Sequence, residues 1–161
     1  MCFEDALRGR FCQDVEREIG DFAVRRNDGV ASYQLAVVVD DAHSGVTHVL
    51  RGVDLLSSTP RQLLLYEALD IAAPRYAHVP LVLGPEGKRL AKREGALAVS
   101  ELREAGVPPE RVVGVLAEWS GLGHGPARPR ELSARFDLAR IPPGPVTASE
   151  DEVRRALGLS R

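Results

Sequence analysis

A short basic segment is the part of the sequence best suited to bind phosphate groups. The run 88–93 (KRLAKR) contains four cations, and Lys88 and Lys92 are the only two lysines among 21 basic residues. An ammonium group on a flexible stem can follow phosphate oxygens as they move during a transfer reaction. The alternative is a solvated basic turn after the Gly84–Gly87 segment. Charge alone does not distinguish such a turn from a phosphate-binding loop.

Two further residues, Arg51 and Tyr33, are candidate ligand contacts. Arg51 ends an apolar segment, where its planar guanidinium could bind a carboxylate through two parallel hydrogen bonds. An ion pair with Asp54 or Asp40 is the alternative for Arg51. Tyr33 opens another apolar segment, and its alternative role is a core tyrosine with a satisfied hydroxyl.

Metal and disulfide chemistry are not expected. Cys2 and Cys12 lie ten residues apart with no second pair, so we expect two inert thiols. None of the four histidines has a Cys, His or carboxylate neighbour at a spacing typical of a metal site.

The composition is that of one folded domain of 161 residues, with 44% hydrophobic and 27% charged residues. A net charge of −2 gives no reason to expect strong nonspecific attraction to nucleic acid. The longest apolar runs, 35–39 and 79–83, are far shorter than the roughly 20 residues of a membrane span. We therefore expect a cytoplasmic protein.

The first half of the chain predicts an α/β arrangement. A hairpin is predicted from two strands, 21–26 and 30–39, joined by an Asn-Asp-Gly turn. Thr59 as a hydroxyl cap, followed by Pro60 and by Gln62 at the capping-box position, predicts a helix from Pro60 to Asp70. Further strands are predicted at 46–51 and 79–83, the latter followed by a turn at 84–87.

The second half predicts helices and little else. They are expected at 99–105, 108–119, 130–136 and 150–157, the last opened by a Ser149–Glu152 capping box. The segment 141–146 holds three prolines and is expected to be irregular.

Several segments occur together in an order and spacing that resemble the glutamyl class I aminoacyl-tRNA synthetases. The segments are GDFAVRR (20–26), YQLAVVVDD (33–41), GVTHV (45–49), RG (51–52), STPRQ (58–62) and RLAKR (89–93). Within this family, Tyr33-Gln34-Leu35 and Asp54-Leu55-Leu56 make the chain more similar to the short glutamyl-queuosine tRNA(Asp) synthetases than to full-length glutamyl-tRNA synthetases.

The resemblance implies a fold and a division of the chain. It implies the C-terminal half of a Rossmann-like catalytic domain with a small helical C-terminal region. Residues 1–95 would be the second half of the nucleotide-binding domain, including a KMSKS-like loop at 89–93. Residues 96–145 would form a helical stem-like region and 146–161 a terminal tail helix.

The resemblance also implies site residues and substrates. Tyr33 and Arg51 match glutamate-binding residues, Lys92 matches the catalytic lysine that contacts ATP, and Arg89 and Arg93 flank it in the ATP-binding loop. The implied reaction uses ATP, with Mg²⁺, to convert glutamate to glutamyl-AMP and then transfers the glutamyl group to queuosine of tRNA(Asp).

Two departures from the family pattern lead to further expectations. Ala91 stands where the loop consensus has serine, which removes one hydroxyl donor. The Pro-x-Pro-x-Gly-x-x-His-x-Gly loop that cradles ATP and the zinc module have no match, so we expect them upstream of Met1, with an N-terminal half acting in trans as one arrangement. The isolated chain is then expected to be inactive. A fragment of a glutamyl-tRNA synthetase and a catalytically silent binding module remain alternatives.

Overall fold

A computed structural model describes residues 1–87 and 98–159, which form two compact units, Met1–Val79 and Pro80 onward. The predicted loop 89–93 lies outside the described residues, so Arg89, Lys92 and Arg93 remain sequence-based candidates. The functional boundaries expected at 95 and 145 stay predictions. None of the helices in the described ranges combines the length and hydropathy that crossing a membrane requires.

A four-stranded sheet forms the centre of the first unit. Its strands are β1 (Cys2–Asp5), β2 (Gly9–Cys12), β3 (His48–Gly52) and β4 (Arg75–Val79), in the order β2-β1-β4-β3. β4 runs parallel to both β1 and β3, and β1 pairs antiparallel with β2. Because β4 has a neighbour on each side, its central residues are buried and its side chains can reach both β1 and β3.

Three helices and a 3₁₀ segment accompany this sheet. They are α1 (Val15–Glu18), α2 (Tyr33–His43), the 3₁₀ helix Val53–Ser58 and α3 (Thr59–Ala68). α2 packs against α3, and the 3₁₀ helix leads from β3 directly into α3. The predicted strand at 46–51 and the predicted helix at 60–70 are confirmed within two residues at each end.

The predicted strand at 30–39 is wrong, because this segment enters α2. A continuous apolar run does not by itself distinguish a buried strand from a buried helix. Val38 is fully buried while Val39 is 44% exposed, and α2 rests on α3. Packing of one helical face therefore outweighs the strand preference of the β-branched residues.

The rest of the predicted hairpin is reduced to a turn. Arg26 N–H donates to the Val30 carbonyl at 2.8 Å, and Gly29 adopts φ +85°. A single bridge between Arg25 and Ala31 takes the place of the predicted strand at 21–26. The turn chemistry of Asn-Asp-Gly is thus correct, but no sheet grows from it.

The two cysteines form a disulfide, so the prediction of inert thiols is wrong. Cys2 and Cys12 stand directly opposite each other in β1 and β2, with Cα atoms 4.1 Å apart. The ten-residue spacing does not reveal this pairing, because the register of the hairpin decides it.

The predicted strand at 79–83 is displaced. β4 ends at Val79, the proline at position 80 follows it, and a separate strand β5 (Val82–Leu83) belongs to the second unit. The turn predicted at 84–87 is confirmed by a hydrogen bond of 2.9 Å from Gly87 N–H to the Gly84 carbonyl.

The second unit is mainly helical, as the sequence predicts. Its elements are α4 (Val99–Glu104), α5 (Pro109–Trp119), α6 (Pro129–Ser133), the 3₁₀ helix Leu138–Arg140, β6 (Val146–Thr147) and α7 (Glu150–Leu157). Leu102, Val115 and Leu157 form its buried cluster. β6 pairs parallel with β5, so Val146 is a strand residue and not part of the irregular segment expected there.

Candidate functional site

Arg51 is held at the carboxyl end of β3 by three acceptors from different elements. Its Nε donates to His78 Nε2 in β4 at 3.0 Å, and its Nη2 donates to Thr59 Oγ1 in α3 at 2.7 Å. Nη2 also donates to the Leu55 carbonyl at 3.3 Å. In the described part of the chain these neutral acceptors, and not Asp40 or Asp54, bind the guanidinium, so the ion-pair alternative does not describe Arg51.

Beneath Arg51, His78 and Asp5 form a fully buried pair. His78 Nδ1 lies 2.6 Å from Asp5 Oδ2, and both side chains have no solvent exposure. The backbone N–H of His78 also donates to Asp5 Oδ1 at 3.2 Å, and Arg8 Nε donates to the His78 carbonyl at 2.8 Å. Because the Arg51 Nε–H can only donate, His78 Nε2 must accept, which puts the imidazole proton on Nδ1 facing Asp5.

The charges of this pair follow from burial and hydrogen bonding. Burial lowers the pKa of His78 below its usual 6.5, and the nearby cations Arg51 and Arg8 add to this, although Asp5 opposes it. Burial raises the pKa of Asp5, but hydrogen bonds from His78, Leu7 and Arg8 outweigh it and leave that pKa below 3.8. At neutral pH the chain therefore links a carboxylate, a neutral imidazole and a guanidinium.

This pair makes the stability of the protein sensitive to acid. A histidine whose pKa is lowered by folding binds protons better in the unfolded chain, so its stabilisation is present above pH 6.5 and is lost as the pH falls below that value. The contribution of Asp5 is lost below pH 3.8 by the same reasoning. We expect the free energy of unfolding, from urea titrations between about pH 8 and about pH 4, to fall on acidification.

His43→Asn is the matched control for this prediction, because His43 is exposed at the end of α2. It should leave the pH dependence unchanged, whereas His78→Asn should flatten it below pH 6.5. Equal pH dependence in the wild type and in His78→Asn would contradict the assignment.

Tyr76 lies against the guanidinium, and Tyr66 is within its electrostatic reach. Arg51 Cζ lies 5.1 Å from the centre of the Tyr76 ring, a cation–π distance, and the Tyr76 ring stacks on His78 at 5.9 Å between centroids. Burial raises the pKa of both Tyr76 and Tyr66, and Arg51 partly offsets this. Both phenols therefore stay neutral, and the positive charge of Arg51 is not cancelled by a phenolate.

Tyr33 is placed beside the same cluster. It is the first residue of α2 and is 53% exposed, so the core-tyrosine alternative does not describe it. A negative charge on its phenol would raise the pKa of Tyr76, the ring that Arg51 covers. Tyr33 and Arg51 thus share one neighbour, Tyr76, which Arg51 contacts and on which Tyr33 acts electrostatically.

A buried amide network fixes the start of α2 against α3. Gln62 Nε2 donates to Gln34 Oε1 at 2.8 Å, and Gln34 Nε2 donates to Ser58 Oγ at 3.3 Å. Gln62 is only 1% exposed, so it serves this contact and not the capping role predicted for it. The network holds Gln34, and with it the adjacent Tyr33, in place.

The cluster is suited to bind a carboxylate. Two of the three guanidinium nitrogens of Arg51 are engaged, and Nη1 makes no hydrogen bond within residues 1–87 and 98–159. A cation with neutral partners keeps its full charge for a ligand, and charge-assisted hydrogen bonds are the strongest that such a site offers. In the same ranges no group of three or more His, Cys, Asp or Glu residues could hold a metal ion.

Sequence reasoning missed three members of this cluster: Asp5, His78 and Thr59. Asp5 and His78 are 73 residues apart, so no local spacing connects them. The sequence indicates a helix cap at Thr59, but this residue is the first of α3 and is fully buried. Its hydroxyl oxygen accepts a hydrogen bond from Arg51. One signal in the sequence points to His78: it is a polar residue between apolar neighbours in the Tyr-Ala-His-Val segment of β4.

The fold is that of a class I synthetase catalytic domain. The family model for class I tRNA synthetases (E and Q), catalytic domain, matches residues 1–142, and the chain belongs to this family. The predicted α/β fold is confirmed: a solved glutamate tRNA ligase from Elizabethkingia meningosepticum, in complex with its amino acid, superimposes with a TM-score of 0.81 at 29% identity. That match covers 97% of this chain and 35% of the ligase.

Curated relatives show which members of this family the chain is similar to. The glutamyl-Q tRNA(Asp) synthetase of Symbiobacterium thermophilum is 58% identical over 141 residues, covering 86% of this chain and 44% of the relative. The glutamate–tRNA ligase of Nitratidesulfovibrio vulgaris is 51% identical over 125 residues, covering 78% of this chain and 27% of that protein. The chain spans less than half the length of these relatives.

Proposed function

We propose that this chain supplies the glutamate site of a glutamyl-Q tRNA(Asp) synthetase, which activates glutamate with ATP and transfers it to queuosine of tRNA(Asp). The observation that carries the proposal is the Arg51 guanidinium, held by neutral acceptors beside Tyr76. Identities of 46–58% to relatives of that name support the choice within the family.

The proposed chemistry has two steps. Arg51 binds the side-chain carboxylate of glutamate and Tyr33 contacts its amino group, which leaves the α-carboxylate free to react. An oxygen of that carboxylate attacks the α-phosphorus of ATP, glutamyl-AMP forms and pyrophosphate leaves. A hydroxyl of queuosine then attacks the acyl carbon, an ester forms and AMP leaves with the electron pair of the broken C–O bond.

Lys92, Arg89 and Arg93 are proposed to bind the phosphates of ATP. Negative charge grows on the phosphate oxygens in the transition state, and a positioned ammonium stabilises it. Mg²⁺ would accompany ATP in this proposal, but the described residues provide no ligand set for it, and no step is assigned to it.

The central test is pyrophosphate exchange that depends on L-glutamate. The protein is assayed alone and after addition of the N-terminal segment of the Symbiobacterium thermophilum relative, as a source of an ATP-cradling loop in trans. Exchange in either mixture supports the proposal. Absence of exchange from both, with no glutamate binding, would favour a silent binding module.

Lys92→Ala is expected to reduce this exchange by about 100-fold or more, as loss of a transition-state contact does. The matched control is Lys88→Ala, which removes the same charge four residues earlier in the same segment. Equal losses in both variants would mean that only the net charge of the segment matters.

Transfer assays separate the two candidate RNA substrates. Charging of ordinary tRNA(Glu) is the second candidate, because one relative is a glutamate–tRNA ligase. The segments Tyr33-Gln34-Leu35 and Asp54-Leu55-Leu56 favour the queuosine reaction. We expect labelled glutamate on queuosine-containing tRNA(Asp), and none on tRNA(Asp) without queuosine. Charging of tRNA(Glu) instead would establish the second candidate.

A further inference from the structure

We propose that His78 is the positioning residue for Arg51: its neutral imidazole accepts the Arg51 Nε–H, fixes the plane of the guanidinium for a carboxylate ligand, and releases it when protonated. This inference rests on the proposed function, because it concerns how the glutamate site is prepared. It assigns a role to a buried pair that the proposed chemistry does not otherwise use.

Geometry supports the positioning role. A guanidinium is planar, so fixing two of its nitrogens fixes the plane and the direction of the third. His78 Nε2 fixes Nε at 3.0 Å, and Thr59 Oγ1 fixes Nη2 at 2.7 Å. Nη1 is left as the nitrogen that a ligand carboxylate can reach.

Asp5 decides which nitrogen of His78 accepts. It lies 2.6 Å from Nδ1 and receives backbone hydrogen bonds from Leu7 at 3.0 Å and Arg8 at 2.9 Å, so its carboxylate cannot turn away without losing them. The carboxylate keeps the proton on Nδ1 and the lone pair on Nε2. Asp5 thus orients His78, and His78 orients Arg51.

A second proton on His78 would break this arrangement. The groups that face the imidazole are Asp5 from β1, Arg8 from the following turn, Arg51 from β3, Thr59 from α3, and Tyr76 and Phe3 as ring neighbours. Protonated Nε2 would point an N–H at the Arg51 N–H, and the two cations would repel each other at hydrogen-bond distance. Arg51 would then have to leave its position.

Stability alone does not account for the pair. A buried ionisable pair gains little over apolar residues of the same size, because desolvation offsets the attraction. Its contact with the Arg51 guanidinium indicates a role in orienting that arginine.

Two substitutions separate orientation from packing. His78→Asn keeps an amide N–H near the Nδ1 position facing Asp5 and removes the acceptor for Arg51. The longer side chain of His78→Gln extends to the Nε2 position with an acceptor oxygen and gives up the bond to Asp5. The variants are compared by the Nε–H signal of Arg51 in a ¹H–¹⁵N NMR spectrum and by the dissociation constant of L-glutamate.

We expect the protected Nε–H signal of Arg51 in the wild type and in His78→Gln, and its loss in His78→Asn. L-Glutamate should bind about tenfold more weakly to His78→Asn and within about threefold of wild type to His78→Gln. In the wild type, affinity should stay constant through pH 6.5 and weaken only when the pH falls to the lowered pKa of His78, together with the signal.

Each outcome bears on the proposal. An unchanged Nε–H signal in His78→Asn overturns it, and so does equal weakening of glutamate binding by both variants, which would indicate a packing role. If the signal is lost as expected but the wild type binds no L-glutamate, the positioning of Arg51 stands and the proposed substrate is wrong.

Discussion

Arg51→Ala is expected to weaken L-glutamate binding by about 100-fold or more, which is about 3 kcal/mol for the loss of a charge-assisted carboxylate contact. Arg51 is held by neutral acceptors, so its substitution removes the positive charge that the proposal assigns to the ligand carboxylate. NMR titration of the protein with L-glutamate measures the effect.

Two companion variants show whether the charge or the geometry matters. Arg51→Lys keeps the positive charge but has no planar fork, so we expect an intermediate loss of about tenfold. Arg17→Ala removes a cation that is 86% exposed in α1, and it should leave the affinity unchanged. Binding by Arg51→Ala at wild-type affinity would refute the proposed glutamate site, whatever happens to His78.

Gly114→Ala is expected to unfold the second unit or to destabilise it by more than about 4 kcal/mol. A Cβ at this position in α5 would overlap the Gly125 carbonyl, coming within 2.8 Å of the carbonyl carbon and 3.1 Å of Pro126 Cα. All three atoms are backbone, so no side chain can rotate away. The gain of about 1 kcal/mol in helix propensity from glycine to alanine is too small to compensate.

The single tryptophan makes this measurable. Trp119 packs against the cluster of Leu102, Val115 and Leu157, so its fluorescence reports on unfolding of this unit during a urea titration. Gly144→Ala is the matched control, because a Cβ there meets nothing within 4 Å and the backbone is not in the left-handed region. A common urea midpoint for both variants would show that α5 does not approach the 125–126 loop closely.

Local signals in the sequence predicted much of the chain. Pro60 at the start of α3, the Ser149–Glu152 capping box of α7 and the Gly84–Gly87 turn depend on residues within four positions of one another, and each is in the structure. The segments around Tyr33 and Arg51 indicated the family, and the family model and the fold confirm it.

Tertiary structure decided the rest. Whether the Tyr33–His43 segment becomes strand or helix depends on its packing against α3, and whether Cys2 meets Cys12 depends on hairpin register. Asp5 and His78 come together because β4 pairs with β1. Arg51 meets His78 because β4 also pairs with β3 on its other side. The sequence alone predicted Arg51 and Tyr33 as candidate ligand contacts. Sheet pairing between distant segments determined what holds that arginine in place, because contacts across 73 residues leave no periodic trace in a single chain.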